Sequence, residues 1–243
     1  MVEVVKMGKF WTQLQENLLF VLFCCGIIVV LAIISRIAER FLPATRQVSK
    51  ARRVCIIAVC SAIAAVLHVL DFPLLFLAPE FYKLDFSELP VMLCGFYLGP
   101  SATVACEAMK ILLKLMTKGT STAFVGDFAN FAVGCSLVLP AVIVYHTKKS
   151  RTSALWGLVL GTAVITVFGS AFNALYLLPK FSQLFGLPLD SIIAMGGKIN
   201  SSISSLQSFV LLAVAPLNLL KGAAVSVLTL LLYKRVARPL FDR

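Results

Sequence analysis

Apolar residues run through this chain in long unbroken blocks. Leu18–Ser35 carries no charge, and neither does Val54–Leu70, which stops at Asp71. Blocks of about 17–25 apolar residues match a bilayer core; a soluble helix would alternate faces every three or four residues and a strand every two. Leu89–Cys106 is also uncharged, but Gly99-Pro100 interrupts it. That break predicts a short helix over about Pro90–Leu98, then a second over about Pro100–Thr117 carrying Glu107, Lys110 and Lys114. Phe128–Tyr145 is another clean span. Thr152–Pro179 is long enough to tilt or to emerge from the core, and Ser204–Tyr233 holds one charge, Lys221. The pattern predicts about seven helices, one below spanning length, in an all-α polytopic integral membrane protein.

Composition agrees with the pattern. The 243 residues are 60% hydrophobic and 14% charged, with a mean hydropathy of +0.95. A soluble domain carries roughly 25% charge, so too few polar residues are present to cover a soluble surface. Leu18–Ser35, at about 18 residues, exceeds the usual 7–15-residue apolar core of a signal peptide. No small-x-small cleavage site follows it, and a basic loop does, so a retained helix is expected.

Charge then orients the helices. Arg36–Arg53, Lys148, Lys149 and Arg151, and the tail Lys234–Arg243 are basic, whereas Asp71–Glu88, Lys118–Asp127 and Lys180–Lys198 are mixed. The positive-inside rule puts the basic segments and the C-terminus in the cytoplasm and the N-terminus outside, which requires an odd number of helices. The net charge of +11 thus reports topology. Its residues sit at span ends rather than on one basic domain, so no nucleic acid is expected as a partner.

Enzymatic signatures are absent. The chain has no HExxH, GxSxG, acidic DDxxD-like cluster or phosphate-binding GxxxxGK[ST],. Its two histidines, His68 and His146, fall near opposite faces, and its seven cysteines lie in apolar runs without metal-ligand spacing,. Neither a catalytic nor a metal site is expected. If the protein moves a solute uphill, the ATPase is another chain.

Candidate chemistry therefore rests on polar residues where lipid or helix packing would favour apolar ones; a charge at a helix centre costs about 2.5–3.5 kcal/mol. Phe81–Pro90, in the outer connection, mixes aromatics with Lys83, Asp85 and Glu88. It suits a ligand-contacting loop, with Ser87 or Asp85 capping the next helix and Pro90 in its first turn. In Phe172–Pro179, Asn173 and Tyr176 are three apart and would share an α-helical face, with Asn offering a donor and an acceptor to a planar amide or uracil-like edge. A hydrogen bond to a neighbouring helix is the equally weighted structural alternative. In Pro216–Gly222, Asn218 and Lys221 are also three apart. Lys221 is too deep to snorkel easily and needs Asp71, Asp85, Glu107 or a ligand oxygen as its partner. Glu107 and Lys110 read as a packing ion pair along one helix. Ala58 and Ala62, with Ala65 a turn beyond, form a small-residue stripe suited to close helix approach, inside the bundle or against a partner.

These motifs, in order, resemble the substrate-binding S components of energy-coupling factor (ECF) vitamin transporters, and among them the riboflavin-specific type. The resemblance covers about Arg52–Arg238. It rests on Lys83-Leu-Asp-Phe-Ser-Glu-Leu-Pro90, Gly95-Phe-Tyr-Leu-Gly-Pro100, Glu107-Ala-Met-Lys110, Phe124-Val-Gly-Asp-Phe-Ala-Asn-Phe131, Phe172-Asn-Ala-Leu-Tyr-Leu-Leu-Pro179 and Pro216-Leu-Asn-Leu-Leu-Lys-Gly222. It departs from the type at Ile111, Asp127 and Leu217.

The resemblance implies a six-helix S-component domain over 51–243, preceded over 1–50 by an extension with one extra transmembrane helix. It implies a multi-pass protein of the bacterial plasma membrane that is not an enzyme and holds no cofactor, with riboflavin as its transported ligand. Lys83, Leu84, Asp85 and Phe86 would close over the vitamin. Asn173, Asn218 and Lys221 would hold the polar edge of its isoalloxazine ring, beside Tyr176. Partners would be a transmembrane coupling protein, docked on Ala58 and Ala62, and two cytoplasmic ATPases. Two rivals stand beside this. One is an S component for another vitamin or for flavin mononucleotide, with Lys180 and Lys198 available to a phosphate. The other is a self-sufficient secondary transporter, which would show inverted repeats and a midplane site.

Overall fold

The computed structural model describes residues 2–43, 48–120, 122 and 124–241, with side chains omitted at 2–21, 184–185 and 234–241. The side chains of the basic C-terminal tail, used above for orientation, lie outside that description.

Among the described residues, ten α-helices and one two-residue strand pair follow in order: α1 (Val2–Phe41), α2 (Lys50–Val69), β1 (Phe72–Pro73), β2 (Lys83–Leu84), α3 (Glu88–Leu98), α4 (Pro100–Lys118), α5 (Val125–Lys148), α6 (Arg151–Phe172), α7 (Leu178–Phe185), α8 (Leu189–Gly197), α9 (Leu206–Phe209) and α10 (Ala215–Phe241). Among the described residues, five stretches are long and apolar enough to cross a membrane: Leu22–Phe41, Lys50–Val69, Val125–Lys148, Arg151–Gln183 and Leu206–Tyr233. α3 is only 11 residues long, and the 19 residues of α4 include Glu107, Lys110 and Lys114. The five spanning stretches, α3 and α4 each overlap a segment read from the sequence pattern, although α1 extends well beyond the expected Leu18–Ser35. The pattern did not reveal α8, inside the connection Lys180–Lys198, or the antiparallel pairing of Phe72 with Leu84 and Pro73 with Lys83.

Local chemistry explains the breaks. α3 turns into α4 at Gly99, whose φ of 101° is open to glycine but costly for other residues, and Pro100 then occupies the first turn of α4,. Two π-helical turns, Asn173–Leu177 and Val210–Val214, join α6 to α7 and α9 to α10. Each ends just before a proline. Pro179 and Pro216 offer no N–H to the carbonyls of Leu175 and Leu212, four residues back, and their rings crowd those carbonyls. Widening the helix by one residue accommodates both effects. The two π turns touch one another.

α5 runs through the centre of the bundle, against α3, α4 and α6. Its closest neighbour is α6, where a Cβ on Gly157 would lie 2.5 Å from the Ala141 carbonyl oxygen and one on Gly161 would overlap that of Leu137. Such close approach is how membrane helices gain packing energy without a hydrophobic drive between them. α1 packs against α4 and α5. Cys24, Ile27, Leu31 and Ser35 form its narrow inward stripe. Glu39 accepts hydrogen bonds from the backbone N–H (2.9 Å) and hydroxyl (2.7 Å) of Ser101 at the start of α4. Arg53 of α2 donates to the same hydroxyl at 2.7 Å.

On α2, Ala58 and Ala62 point outward alongside Val54, Val59, Ile63 and Val66, leaving a small-residue strip on the bundle's exterior. Ala65 is buried and does not extend that strip.

Candidate functional site

A cavity of about 450 Å³ opens at the end of the bundle opposite the basic loops. Its wall combines the C-terminal ends of α2 and α4, the N-terminal end of α5, the connection 70–87, the first π turn with α7, and α10. Its volume falls within the usual range for a small-molecule site, about 300–1,000 Å³.

The apolar part of the wall is Phe81, Phe181, Leu177, Leu217, Ala129 and Val133. The polar part brings together residues far apart in sequence. Asn173 receives a hydrogen bond from the Tyr82 hydroxyl on its Oδ1 at 2.7 Å and donates its Nδ2 to the Gly169 carbonyl at 2.7 Å. Burial pushes the Tyr82 phenol up, which keeps it a donor. The amide nitrogen of Asn218 is buried with no hydrogen-bond partner among the described residues. An unsatisfied buried donor costs about 1–3 kcal/mol, and a ligand acceptor would recover it. Lys221 reaches Asp85 Oδ2 at 3.2 Å and Glu88 Oε1 at 3.0 Å.

Beneath Lys221 the charges continue. Lys110 pairs with Glu107 on its own helix, lies 3.4 Å from Glu88 Oε1 and donates to Ser87 Oγ at 3.1 Å. The Glu107–Lys110 pair read from the sequence is therefore present, and it is one end of a network reaching the cavity. Gly134 on α5 makes room for it, since a Cβ there would overlap the Glu107 carboxylate. Asp85 organises the other end. Its Oδ1 accepts from the Ser87 backbone N–H at 2.8 Å, and its Oδ2 faces both Lys221 and His68 Nδ1, the latter at 3.3 Å. Burial pushes the Asp85 carboxyl up, but Lys221, His68 and Lys110 more than offset it, holding it well below the usual carboxylate range. Of the two caps offered by the sequence, Asp85 makes the turn before α3, while the Ser87 side chain makes no capping bond.

At the mouth, Lys83 and Lys118 each lie 3.2 Å from Asp71 Oδ1, and Lys114 pairs with Asp127. Lys180 and Lys198 are not among the lining residues; Lys180 lies 3.2 Å from Gln183 Oε1.

The predicted residues thus separate. Lys83, Asp85, Asn173, Asn218 and Lys221 line the cavity. Leu84 and Phe86 do not: Leu84 is buried in the strand pair, and Phe86 packs beside Phe72 with ring centroids 6.2 Å apart. Tyr176 also lies off the wall, packed on Phe172 and on Phe23 of α1 with centroids 5.1 and 5.3 Å away. The shared-face expectation assumed α-helical spacing. In a π turn the same face recurs about four to five residues on, so Leu177 joins Asn173 on the cavity side and Tyr176 turns away.

His68, Tyr82 and Asn130 line the cavity without having been singled out. Asn130 had a signal, an amide inside an apolar span. Tyr82 had one as well, its place inside the aromatic segment Phe81–Pro90, whereas His68 had none beyond its place before the outer connection.

Comparison with known proteins bears on this arrangement. A family model described as the ECF transporter, substrate-specific component matches residues 52–233. The chain is similar to "Riboflavin transporter RibU" of Staphylococcus aureus (strain TCH60), 35% identical over 187 residues, covering 76% of this chain and 90% of that protein. It is also similar to "Riboflavin transporter FmnP" of Bacillus subtilis (strain 168), 30% identical over 185 residues, with coverages of 76% and 91%. A solved structure of the S component of a bacterial ECF transporter superposes with a TM-score of 0.62 at 33% identity, covering 79% of this chain and 99% of that one.

Proposed function

Because the chain belongs to the family of ECF transporter substrate-specific components, we propose that it captures riboflavin in the cavity around Asn173, Asn218 and Lys221 and delivers it to an ATP-driven partner module. It is a multi-pass protein of the bacterial plasma membrane and a transport subunit rather than an enzyme. The observation that carries the riboflavin reading is the convergence of two asparagines and a lysine, 48 positions apart at the extremes, on one partly aromatic cavity.

The isoalloxazine pyrimidine edge alternates carbonyls with an N–H. The idle Asn218 amide and the Lys221 ammonium suit its carbonyls, and Asn173 can accept from its N–H if Tyr82 yields that oxygen. Phe81, Phe181, Leu177 and Leu217 suit the flat faces of the ring. Lys83 and Asp85 bring the outer connection over the cavity. Riboflavin is favoured over its phosphorylated form because the mouth lysines are engaged: Asp71 takes Lys83 and Lys118, and Asp127 takes Lys114.

The partner module comprises a transmembrane coupling protein and two cytoplasmic ATPases, with the outward strip at Ala58 and Ala62 as its docking face. Residues 51–243 form the S-component domain, and 1–50 form an added extension.

Purified protein is expected to carry a yellow bound flavin. After stripping, it is expected to quench riboflavin fluorescence on titration. A colourless preparation that leaves the fluorescence unchanged would refute the riboflavin reading.

A further inference from the structure

Among the described residues, two carboxylates lie within ion-pair reach of Lys221, and they sit in different places. Asp85 belongs to the outer connection and lines the cavity, 3.2 Å from the ammonium. Glu88 opens α3, is 1% exposed and stands behind the cavity wall rather than on it, with its Oε1 3.0 Å from the same ammonium. That oxygen also lies 3.4 Å from Lys110 of α4, so one atom of Glu88 ties α3 to both α4 and α10. Glu107, the third carboxylate of the network, reaches Lys110 on its own helix. A ligand entering the cavity can take the place of Asp85 at Lys221, but it does not meet Glu88. A buried ammonium stripped of both carboxylates would be strongly unfavourable. Exchanging Asp85 for a ligand carbonyl therefore needs a counter-charge that stays.

We propose that Glu88 is that counter-charge, a positioning residue that holds Lys221 from behind the cavity wall while the ammonium turns to the ligand. Lys221 is shared by Asp85 and Glu88 until a ligand carbonyl replaces Asp85, and the Glu88 contact then persists. With the Glu88 carboxylate removed, Asp85 is the remaining carboxylate beside Lys221. Leaving it for a neutral carbonyl is then less favourable, so capture weakens although Glu88 does not touch the ligand. The inference rests on the riboflavin site proposed above.

The test is a double-substitution cycle read in two ways. First, riboflavin is titrated by fluorescence quenching onto flavin-stripped full-length protein. Glu88→Gln is expected to weaken binding by about tenfold, the scale of one hydrogen bond to a charged group. Glu88→Asp keeps the charge but draws it back by a methylene; it is expected to weaken binding by a smaller factor, and it carries the test if Glu88→Gln does not fold. In a Lys221→Met background neither is expected to change the remaining affinity by more than about twofold, the margin within which uncoupled effects add. Wild-type affinity in the Glu88 variants, or the same loss with and without Lys221, overturns the inference, since a merely structural Glu88 would act in both backgrounds. The second reading needs no flavin. Glu88→Gln and Lys221→Met each leave a buried charge short of a partner and are expected to lower the unfolding temperature in detergent, and the double variant to recover part of that loss. Glu107→Gln removes a charge whose ion-pair partner is Lys110, so combining it with Lys221→Met is expected to recover less. Equal recovery from the two pairs, or none from either, overturns the proposal even if riboflavin proves not to be the ligand. Preferential recovery with Glu88→Gln, in protein that binds no riboflavin, overturns the riboflavin reading alone.

Discussion

α5 and α1 are both long, uncharged through their middles, and placed in opposite ways. α5 buries 67% of its apolar window and touches most of the bundle; α1 buries 11% of its window and runs along the rim. Around α5 the neighbours come close because Gly157 and Gly161 of α6 and Gly134 of α5 itself remove side-chain bulk. α1 instead attaches through one narrow stripe, the Phe23 ring beside Tyr176 and Phe128, and the Glu39–Ser101–Arg53 contact at its other end. In a bilayer, apolarity places a helix in the membrane but does not choose its neighbours. Small residues and a few polar contacts make that choice.

The contrast can be broken or sharpened by experiment. The largest effect is expected from Gly161→Leu, which forces a side chain into the backbone of Leu137. Overpacking of about 3 kcal/mol should appear as a sharply lowered unfolding temperature in detergent or loss of monodisperse protein. A wild-type melting curve would show that α5 and α6 can separate freely. On the outer face of α2, Ala58→Trp should abolish ATP-driven uptake in cells while riboflavin titration of the purified protein stays normal. Loss of both would make that strip an internal contact.

Lys221→Ala is expected to weaken riboflavin by about 1.5–3 kcal/mol, the worth of a hydrogen bond to a charged group; an unchanged dissociation constant would return Lys221 to a purely structural role. The smallest effect belongs to α1. Glu39→Gln should cost less than about 1 kcal/mol, as for partly exposed ion pairs, read as a shift of a degree or two in unfolding temperature. Deleting residues 2–49 should leave riboflavin affinity within about twofold, or about 0.4 kcal/mol. A larger loss would show that Phe23, behind Tyr176 and Phe128, braces the site.

Much of the cavity's polar lining was visible before any folding. Lys221 and Asn218 stood out because an ammonium or amide deep in an apolar run needs a partner, and Asn173 for the same reason. Asp85 was placed correctly in the outer connection, but its role as the point where α2, α3 and α10 meet was not. Tyr176 was misplaced because an α-helical period was applied across a π turn, although Pro179 was in plain view as its cause. Leu84 and Phe86 shared a motif with Lys83 and Asp85, yet alternation along the short strand and the turn after it sends neighbouring side chains to opposite sides. His68 carried no local signal, since its partner lies in another segment.

Hydropathy and charge by themselves determined that this protein lies in a membrane, where along the chain its apolar segments fall, and which end of the bundle is basic. Those are properties of each segment against its solvent, and a segment carries them alone. Which helix is central, which amide is left without a partner and which carboxylate joins three elements were decided only by the tertiary structure. They depend on distances between groups that the chain keeps far apart, and on two proline-induced π turns that rotate side chains past the face their spacing would assign.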